Sequence, residues 1–328
     1  ILNRRFDVLS KEEGSPIVGG GANRSVLFNQ IEQGSLAVSP AENKWKAAIP
    51  VMEQELRRAL LHGFTQTEVG EAKARYINAA EQAVKRAPTR ESAGLAMGLI
   101  GSIGKKSVFT TPDTSLELAK KGITRLSPED CHKAFQKFWD TKDLSLVLTS
   151  RKIEGGTTDQ LKKLYLESSK VEVSAPEQEV LAAFGYTDFG KAGTIARRND
   201  LKDFEATQLI LSNNIRVNFK QTDFAKNSIS LSARFGSGQL TQPKDVPGMD
   251  RFASMVFQGG GLGKHSEDEL QRILPGKNVG VSFGIGEGDF SLGGRTTPED
   301  LELQLQLMCA YLTDPGFRPE AERMFKMA

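Results

Sequence analysis

The chain has 328 residues, a length typical of two domains. Hydrophobic residues make up 38% of it and charged residues 26%, which excludes an intrinsically disordered chain. The 43 lysine and arginine residues balance 41 acidic ones, so the formal net charge is +2 and no nucleic-acid partner is expected. The two cysteines, Cys131 and Cys309, provide neither a disulfide framework nor a CxxC zinc motif.

The least polar run of the chain, residues 93–104, is 12 residues long and rich in glycine. A transmembrane helix needs about 18 apolar residues, so no membrane span is predicted. Gly94 and Gly98 have the spacing of a helix-packing motif, which predicts a tight helix contact. The sequence begins at Ile1 with neither methionine nor a signal-peptide core, which indicates a segment of a longer chain.

Apolar periodicity and capping signals predict the elements of the first 150 residues. In chain order they are a helix over 1–14, strands near 17–18 and 35–38, a helix from a Ser39-Pro40-Ala41-Glu42 cap to 62, helices over 65–88, 90–103 and 127–139, and a half-buried strand over 144–148. Two of the helices are predicted to bury one apolar face each: Trp45, Ile49, Met52, Leu56 and Leu60 in the first, and Val69, Ala72, Tyr76, Ala79 and Ala83 in the second.

Residues 151–206 lack a sustained period and are interpreted as a partly packed connector with a short helix over 157–168. The later elements are a hairpin of 209–211 with 215–219, a strand over 229–235, a helix over 246–257, a helix capped at Ser266, a hairpin of 279–285 with 290–292, and a helix with Leu301, Leu305, Met308 and Leu312 on its buried face.

The element order predicts an α+β fold with two domains, each a mostly antiparallel sheet packed against helices. The first domain is placed at 1–152, the connector at 153–206 and the second domain at 207–328. Both domains are expected to be cut short by the ends of the chain.

Residues suited to catalysis or metal binding are sparse. None of the three histidines has a partner at the H-E-x-x-H or H-x-x-E-H spacing of a zinc site. His62 is expected to complement a helix dipole, His132 to lie on a solvated helix face, and His265 to precede an N-cap. The glycine cluster 259–264 lacks a glycine at 258 and a serine or threonine at 265, so it predicts a tight helix connection rather than a phosphate loop. We therefore predict no catalytic, cofactor-binding or metal-binding residue in this chain.

A series of short motifs occurs in an order that is typical of one protein family. In chain order they are Glu53-x-Glu55-Leu56-x-x-x-Leu60, Gly63-Phe64-Thr65, Thr67-Glu68-Val69, Ala72-Lys73, Leu211-Ser212-Asn213-Asn214-Ile215-Arg216-Val217, Gly236-Ser237-Gly238, Glu269-Leu270, Glu299-Asp300-Leu301 and Phe317. Residues 1–150 and 205–328 thereby resemble the insulinase/pitrilysin family of zinc metallopeptidases, the inverted zincins. The resemblance implies that the first domain corresponds to the family's second domain and that the chain then enters a third.

The zinc motif of the family is missing at the corresponding helix. Aligning that helix on its apolar triplet places Asp250, Ala253 and Ser254 at the ligand, base and ligand positions of H-x-x-E-H. A shift by one residue places Arg251, Ser254 and Met255 there. Neither set binds zinc or activates water, so the resemblance implies a degenerate, non-catalytic third domain.

The function implied is that of a non-catalytic middle segment of an insulinase-like zinc metalloendopeptidase. This segment would form part of a peptide-enclosing chamber and its hinge, while an upstream H-x-x-E-H domain would hold Zn²⁺ and cut peptides. The partners implied are the remaining N- and C-terminal domains of the same protein and, for the parent, a peptide substrate. The alternative is an assembly or scaffold protein of the same fold without peptidase activity. Self-association of the isolated segment is also expected, and the resemblance suggests a periplasmic or cell-envelope location.

Overall fold

A computed structural model describes residues 1–28, 30–140, 143–149, 156–178 and 182–327. Its helices are α1 (Leu2–Lys11), α2 (Trp45–His62), α3 (Gln66–Lys85), α4 (Ser92–Gly104), α5 (Pro112–Ile123), α6 (Pro128–Trp139), α7 (Thr158–Ser168), α8 (Met249–Gly259), α9 (Glu267–Ile273), α10 (Leu301–Thr313) and α11 (Pro319–Met327). Its strands are β1 (Ile17–Leu27), β2 (Ile31–Pro40), β3 (Ile195–Leu201), β4 (Ala206–Leu211), β5 (Arg216–Phe219), β6 (Ile229–Phe235), β7 (Ser282–Ile285) and β8 (Phe290–Thr296). The fold is α+β, as predicted, and every strand pairing among the described residues is antiparallel.

The N-terminal elements consist of the β1–β2 hairpin with α1 and α2 packed beside it. Phe6, Ile17 and Ala48 form a small core there, and Phe6 and Ile17 are fully buried. The predicted helix start at Ser39-Pro40 is wrong, because β2 continues to Pro40, which pairs with Ile17. Helix α2 begins only at Trp45, without a side-chain cap. Strand pairing therefore overrides the local capping signal.

Helix α3 has the predicted position but buries a different face. A capping box closes its start, since the Glu68 N–H donates to Oγ1 of Thr65 at 3.2 Å and the Thr65 N–H donates to the Glu68 carboxylate at 2.8 Å. Val69 is buried as expected, but the other four members of the predicted face, Ala72, Tyr76, Ala79 and Ala83, are exposed. Polar Glu71 and Gln82 are buried instead.

Helix α4 is exposed over almost its whole length, and Leu95 and Ser102 are its only half-buried residues. The tight helix contact predicted for Gly94 and Gly98 is wrong for the described residues. Beyond the neighbouring backbone of α4 itself, no atom of the described residues lies within 4 Å of a Cβ built at Gly94, and a Cβ at Gly98 would meet the Phe109 ring at 3.1 Å.

Two further differences concern the elements that follow α4. Helix α5 was not predicted, although Thr111 caps it and Pro112 opens it. The strand predicted over 144–148 is also wrong, because residues 143–149 form neither a helix nor a strand and Leu144 is 53% exposed.

The segment between the two predicted domains contains packed structure. Helix α7, predicted over 157–168, lies on α2, where the Ser168 hydroxyl donates to the buried Glu53 carboxylate at 2.6 Å. Strand β3 was not predicted; it pairs with β4, which pairs with β5 in the predicted hairpin turned by Asn214 at a φ of 66°. The end of the first domain at 152 and the start of the connector at 153 lie outside the described residues. The domain division stays a prediction.

The C-terminal elements form the larger core. The sheet has the order β6-β8-β7, and Leu292 of the central strand packs with Leu262, Leu307 and Tyr311. The predicted buried face of α10 is wrong in part, since Met308 is buried but Leu305 and Leu312 are each 46% exposed. The buried members of α10 are Gln304, Leu307, Met308, Ala310 and Tyr311.

Candidate functional site

The N-terminal and C-terminal elements meet along a polar surface, which we name the seam. Helices α1 and α3 lie on one side of it, and α9, the turn at 276–278 and the start of α10 lie on the other. Its contacts link residues 200 or more positions apart in the chain, for example Arg4 with Gln271 and Asn78 with Asn278. The seam is thus a product of tertiary folding.

Lys11 at the end of α1 is the centre of the first group of contacts. Its Nζ lies 3.0 Å from Asp7, 2.7 Å from Glu267 and 2.8 Å from Asp268. Burial by itself lowers the pKa of Lys11, but its bonds to Asp268 and Glu267 outweigh this effect and raise the pKa. Burial raises the pKa of Asp268, and the neighbouring Glu267 and Asp7 carboxylates add to that effect while Lys11 opposes it. One ammonium group therefore forms ion pairs with three carboxylates that repel each other.

The same three acids are the one group of potential metal ligands that the described residues bring together, with ligand oxygens within 4.8 Å of one another. The Lys11 ammonium lies among these oxygens and supplies the positive charge that they need. The group accordingly acts as an ion-pair cluster that joins α1 to the start of α9.

Arg4 provides a second bridge across the seam. Its guanidinium donates to Oε1 of Gln271 at 2.9 Å and to the Asp268 carbonyl at 2.6 Å, and it lies 3.6 Å from the buried Glu71 carboxylate. From the other side, Arg323 of α11 donates to the Lys11 carbonyl at 3.0 Å. Arg4 therefore connects α3 to α9 through α1, and Arg323 ties α11 to the end of α1.

The third group of contacts is formed by amides. The side chains of Asn78 and Asn278 exchange two hydrogen bonds of 3.0 and 3.1 Å. Asp300 accepts from both the backbone and the side-chain N–H of Asn278 at 2.9 Å, which fixes that side chain in place. At Gly276 the turn approaches α3 so closely that a Cβ would lie 3.0 Å from the Ala74 carbonyl oxygen. Only a glycine fits this approach at its φ of 74°.

Arg5 holds α1 in place on the N-terminal side. Its guanidinium donates to Glu68 at 2.6 and 2.9 Å, to Glu55 at 3.0 Å and to the Gly63 carbonyl at 3.0 Å. Burial opposes the charge of Arg5, but the bonds to Glu68 and Glu55 outweigh it and raise the pKa of Arg5. For Glu68, the bonds from Arg5 and Thr65 outweigh burial and lower its pKa. Hence the helix that carries Lys11 and Arg4 is itself anchored by charge.

Helix α8 occupies the place where the family resemblance would put a zinc motif. Asp250 accepts a 3.4 Å hydrogen bond from Gln239, Arg251 and Met255 are exposed, and Ala253 and Ser254 are half-buried. The absence of a metal site at this helix stays a prediction.

The histidines take positions that differ in part from those expected. His62 ends α2, as expected, with Nε2 at 2.8 Å from the Val173 carbonyl. His132 does not lie on a solvated face, since its ring packs on Gly63 and its Nε2 lies 2.8 Å from the Leu60 carbonyl.

His265 precedes the Ser266 cap, as expected, and is only 5% exposed. The glycine cluster connects α8 to α9, in agreement with the prediction. At Gly261 a Cβ would lie 2.6 Å from the Glu267 nitrogen, so the connection has no room for a larger residue.

One cleft of about 650 Å³ adjoins the seam. Leu270, Leu274, Val279, Leu307 and Tyr311 are among its apolar lining residues, and Arg75 of α3 also lines it. Burial raises the pKa of Tyr311 to about 12, so its hydroxyl is protonated at neutral pH. No helix in the described part of the chain combines the length and apolarity that crossing a bilayer requires.

The antiparallel sheets packed against helices, in this order, resemble in fold a part of a larger solved protein. The ferredoxin protease FusC, solved as a mutant in complex with Arabidopsis ferredoxin, aligns with 100% of this chain and 38% of its own, at 15% identity and a TM-score of 0.53. The periplasmic protease PqqL from Escherichia coli aligns with 96% of this chain and 35% of its own, at 19% identity and a TM-score of 0.45. Pitrilysin aligns with 99% of this chain and 35% of its own, at 11% identity and a TM-score of 0.42.

No protein-family model and no curated protein matches the sequence. The likeness to FusC therefore describes the fold, and this chain spans 38% of the length of that protein.

Proposed function

We propose that the chain is a non-catalytic segment of a larger pitrilysin-like zinc endopeptidase, in which it forms part of the wall and the hinge of a peptide-enclosing chamber. Zn²⁺ and peptide hydrolysis belong to an upstream H-x-x-E-H domain in this proposal. Two domains, 1–152 and 207–328, lie on either side of a connector over 153–206. The remaining N- and C-terminal domains of the same protein are the partners.

The seam is the observation that carries the proposal. A chamber wall that opens and closes needs an interface between its parts that separates with a small loss of free energy. Polar interfaces between domains meet that need. The seam consists of ion pairs and amide pairs around Lys11, Arg4 and Asn278, which water can replace when the two sides separate. An apolar interface of the same extent would instead hold the two sides in one arrangement.

The composition of α8 supports the non-catalytic role. The side chains at the positions of a zinc motif are Asp250, Ala253 and Ser254, and a serine and an alanine supply no nitrogen or carboxylate ligand for zinc. Whatever hydrolysis the parent protein performs would require a zinc site elsewhere in its chain.

A scaffold or assembly protein is the second candidate function. It would use the same two α+β units and the same exposed surfaces without a chamber that opens. The exposed apolar helix α4, with Met97 and Ile103 each 70% exposed, favours an association surface.

The test uses the full-length parent protein and an unfolded, fluorogenic peptide. We expect about one zinc per chain, chelator-sensitive hydrolysis, and a changed rate in a Lys11→Met variant that weakens the seam. A Lys133→Met variant is the matched control, because Lys133 makes an exposed ion pair with Glu129 on α6, away from the seam. A parent without zinc that cleaves nothing would establish the scaffold function. Hydrolysis that is identical in the two variants would refute the hinge.

A further inference from the structure

A three-residue segment, Phe184 to Tyr186, lies on the glycine-rich connection between α8 and α9, and we name it the strap. Tyr186 is 7% exposed and belongs to the C-terminal core, while Phe184 packs against that core. On either side of the strap, residues 182–183 and 187–190 are exposed. The strap is therefore a single point of attachment in an otherwise exposed stretch that leads to β3.

Lys264, the last residue of the glycine cluster, and His265, which follows it, bind both peptide groups of the strap. The Gly185 N–H donates to Nε2 of His265 at 2.9 Å, and the Gly185 carbonyl accepts from Nζ of Lys264 at 2.8 Å. The Tyr186 hydroxyl accepts from the Lys264 N–H at 2.8 Å and donates to Asp314 at 2.6 Å. A Cβ on Gly185 would lie 3.0 Å from Cδ of Lys264, so the contact leaves little room for a side chain.

This geometry requires a neutral His265. A backbone N–H can only donate, so Nε2 of His265 must accept and the ring must carry its proton on Nδ1. The ring is 5% exposed, is stacked on Phe184 at a centroid distance of 6.0 Å, and meets Tyr186 edge-on. Protonation of Nε2 would replace the acceptor with a second donor and break the bond to Gly185.

The other two histidines have the opposite arrangement. Nε2 of His62 lies 2.8 Å from the Val173 carbonyl, and Nε2 of His132 lies 2.8 Å from the Leu60 carbonyl. A carbonyl only accepts, so both nitrogens must donate, and protonation of either ring leaves the bond intact. Among the three histidines of the chain, only His265 loses a backbone hydrogen bond when it becomes charged.

Charged groups face His265 from several elements. Arg318 donates to the His265 carbonyl at 3.2 Å, and Lys264 is the adjacent residue. The Asp314 carboxylate is engaged by Tyr186. The remaining charged neighbours lie in the first turn of α9, where Glu267 and Asp268 bind Lys11 and Glu269 caps the Ser266 N–H.

We propose that the strap is a pH-sensitive attachment, which protonation of His265 releases from the C-terminal core. The strapped form binds one proton fewer at His265 than the released form, so a fall in pH favours release. Release frees residues 182–190 from their attachment to the C-terminal elements. The inference concerns the chain itself and holds for a peptidase segment and for a scaffold alike.

Hydrogen exchange of the folded chain tests the proposal at pH 7.5 and pH 5.5, with rates corrected for the intrinsic effect of pH. In the wild-type chain, we expect the protection of peptides that contain residues 184–186 to fall roughly tenfold at the lower pH, because a buried hydrogen bond is lost. His265→Gln retains an acceptor that does not titrate, so protection is expected to stay the same at both values. His62→Gln is the matched control and is expected to behave like the wild type. Gly185→Ala is expected to lower protection at both pH values.

A direct measurement of the ring completes the test and uses only the wild-type chain. Long-range proton–nitrogen NMR spectra resolve three imidazoles and report the charge on each. Protection of the strap is expected to fall as the His265 signal changes to that of an imidazolium. Strap protection that persists after His265 is charged would overturn the proposal, and so would equal loss of protection in His265→Gln.

Discussion

Replacing Lys11 with methionine tests the most connected charge of the seam. The substitution keeps most of the aliphatic volume but removes the ammonium that three carboxylates share. The side chain of Lys11 is 20% exposed and that of Asp268 is 16% exposed. Breaking a fully buried ion pair costs about 3–5 kcal/mol, and an exposed pair contributes about 0–1 kcal/mol. The largely but not fully buried Lys11 cluster therefore predicts a loss of roughly 2 kcal/mol in the free energy of unfolding.

The measurement is urea unfolding at pH 7 and low salt, followed by far-ultraviolet circular dichroism. Lys133→Met is the control, because its ammonium is 68% exposed and its loss is expected to leave the free energy of unfolding nearly unchanged. Adding Asp268→Asn to the Lys11 variant is expected to restore part of the stability, because it removes one of the repelling carboxylates. If Lys11→Met and Lys133→Met lower the unfolding free energy equally, the seam does not depend on this cluster.

Three further predictions concern acid stability, the face of α10 and association. The lowered pKa of Glu68 means that its bonds with Arg5 contribute stability above the unfolded value of 4.5, and that this stability is lost as pH falls through the folded pKa. Glu68→Gln is thus expected to lower stability at pH 7 and to flatten the decline of the urea midpoint toward pH 3. Gln304→Ala is expected to lower the free energy of unfolding by about 1–3 kcal/mol, because it leaves the backbone groups of Gly280 unpaired. Leu305→Asp, on the exposed side of the same helix, is expected to lower it by about 0.5 kcal/mol in the same urea unfolding assay. The isolated chain is expected to self-associate in sedimentation velocity through its exposed apolar surface, and Ile103→Lys on α4 is expected to shift it toward monomer; an unchanged distribution would show that α4 is not the surface responsible.

Signals that act within a few residues predict much of the fold. The helix starts at Thr65, Ser127 and Ser266 each have both hydrogen bonds of a capping box, as their sequences indicate. A related signal, Thr111-Pro112, marks the start of α5, which was not predicted. The capping signal at Ser39-Pro40 failed, because the pairing of β2 with β1 contributes more than one helix cap.

The buried faces of α3 and α10 were harder to predict, because polar residues occupy them. Gln304 is fully buried and exchanges two hydrogen bonds with the backbone of Gly280, at 2.9 and 2.8 Å. Hydropathy places such a glutamine at the surface and places Leu305 in the core, which reverses their true positions. A buried polar side chain is recognised only from its partner, and the partner lies on another element.

The same reasoning explains why the seam has no signature in the sequence. Asn78 and Asn278 are 200 positions apart, and each is an ordinary surface residue by composition. Lys11 has an acid four residues before it, which predicts only a local pair with Asp7, while its two shorter contacts come from α9. Long-range polar pairs of this kind align the two sides of an interface. They leave no periodic apolar pattern in the sequence of either helix. A segment that separates from its neighbour during opening benefits from that arrangement, since its exposed surface is then already compatible with water.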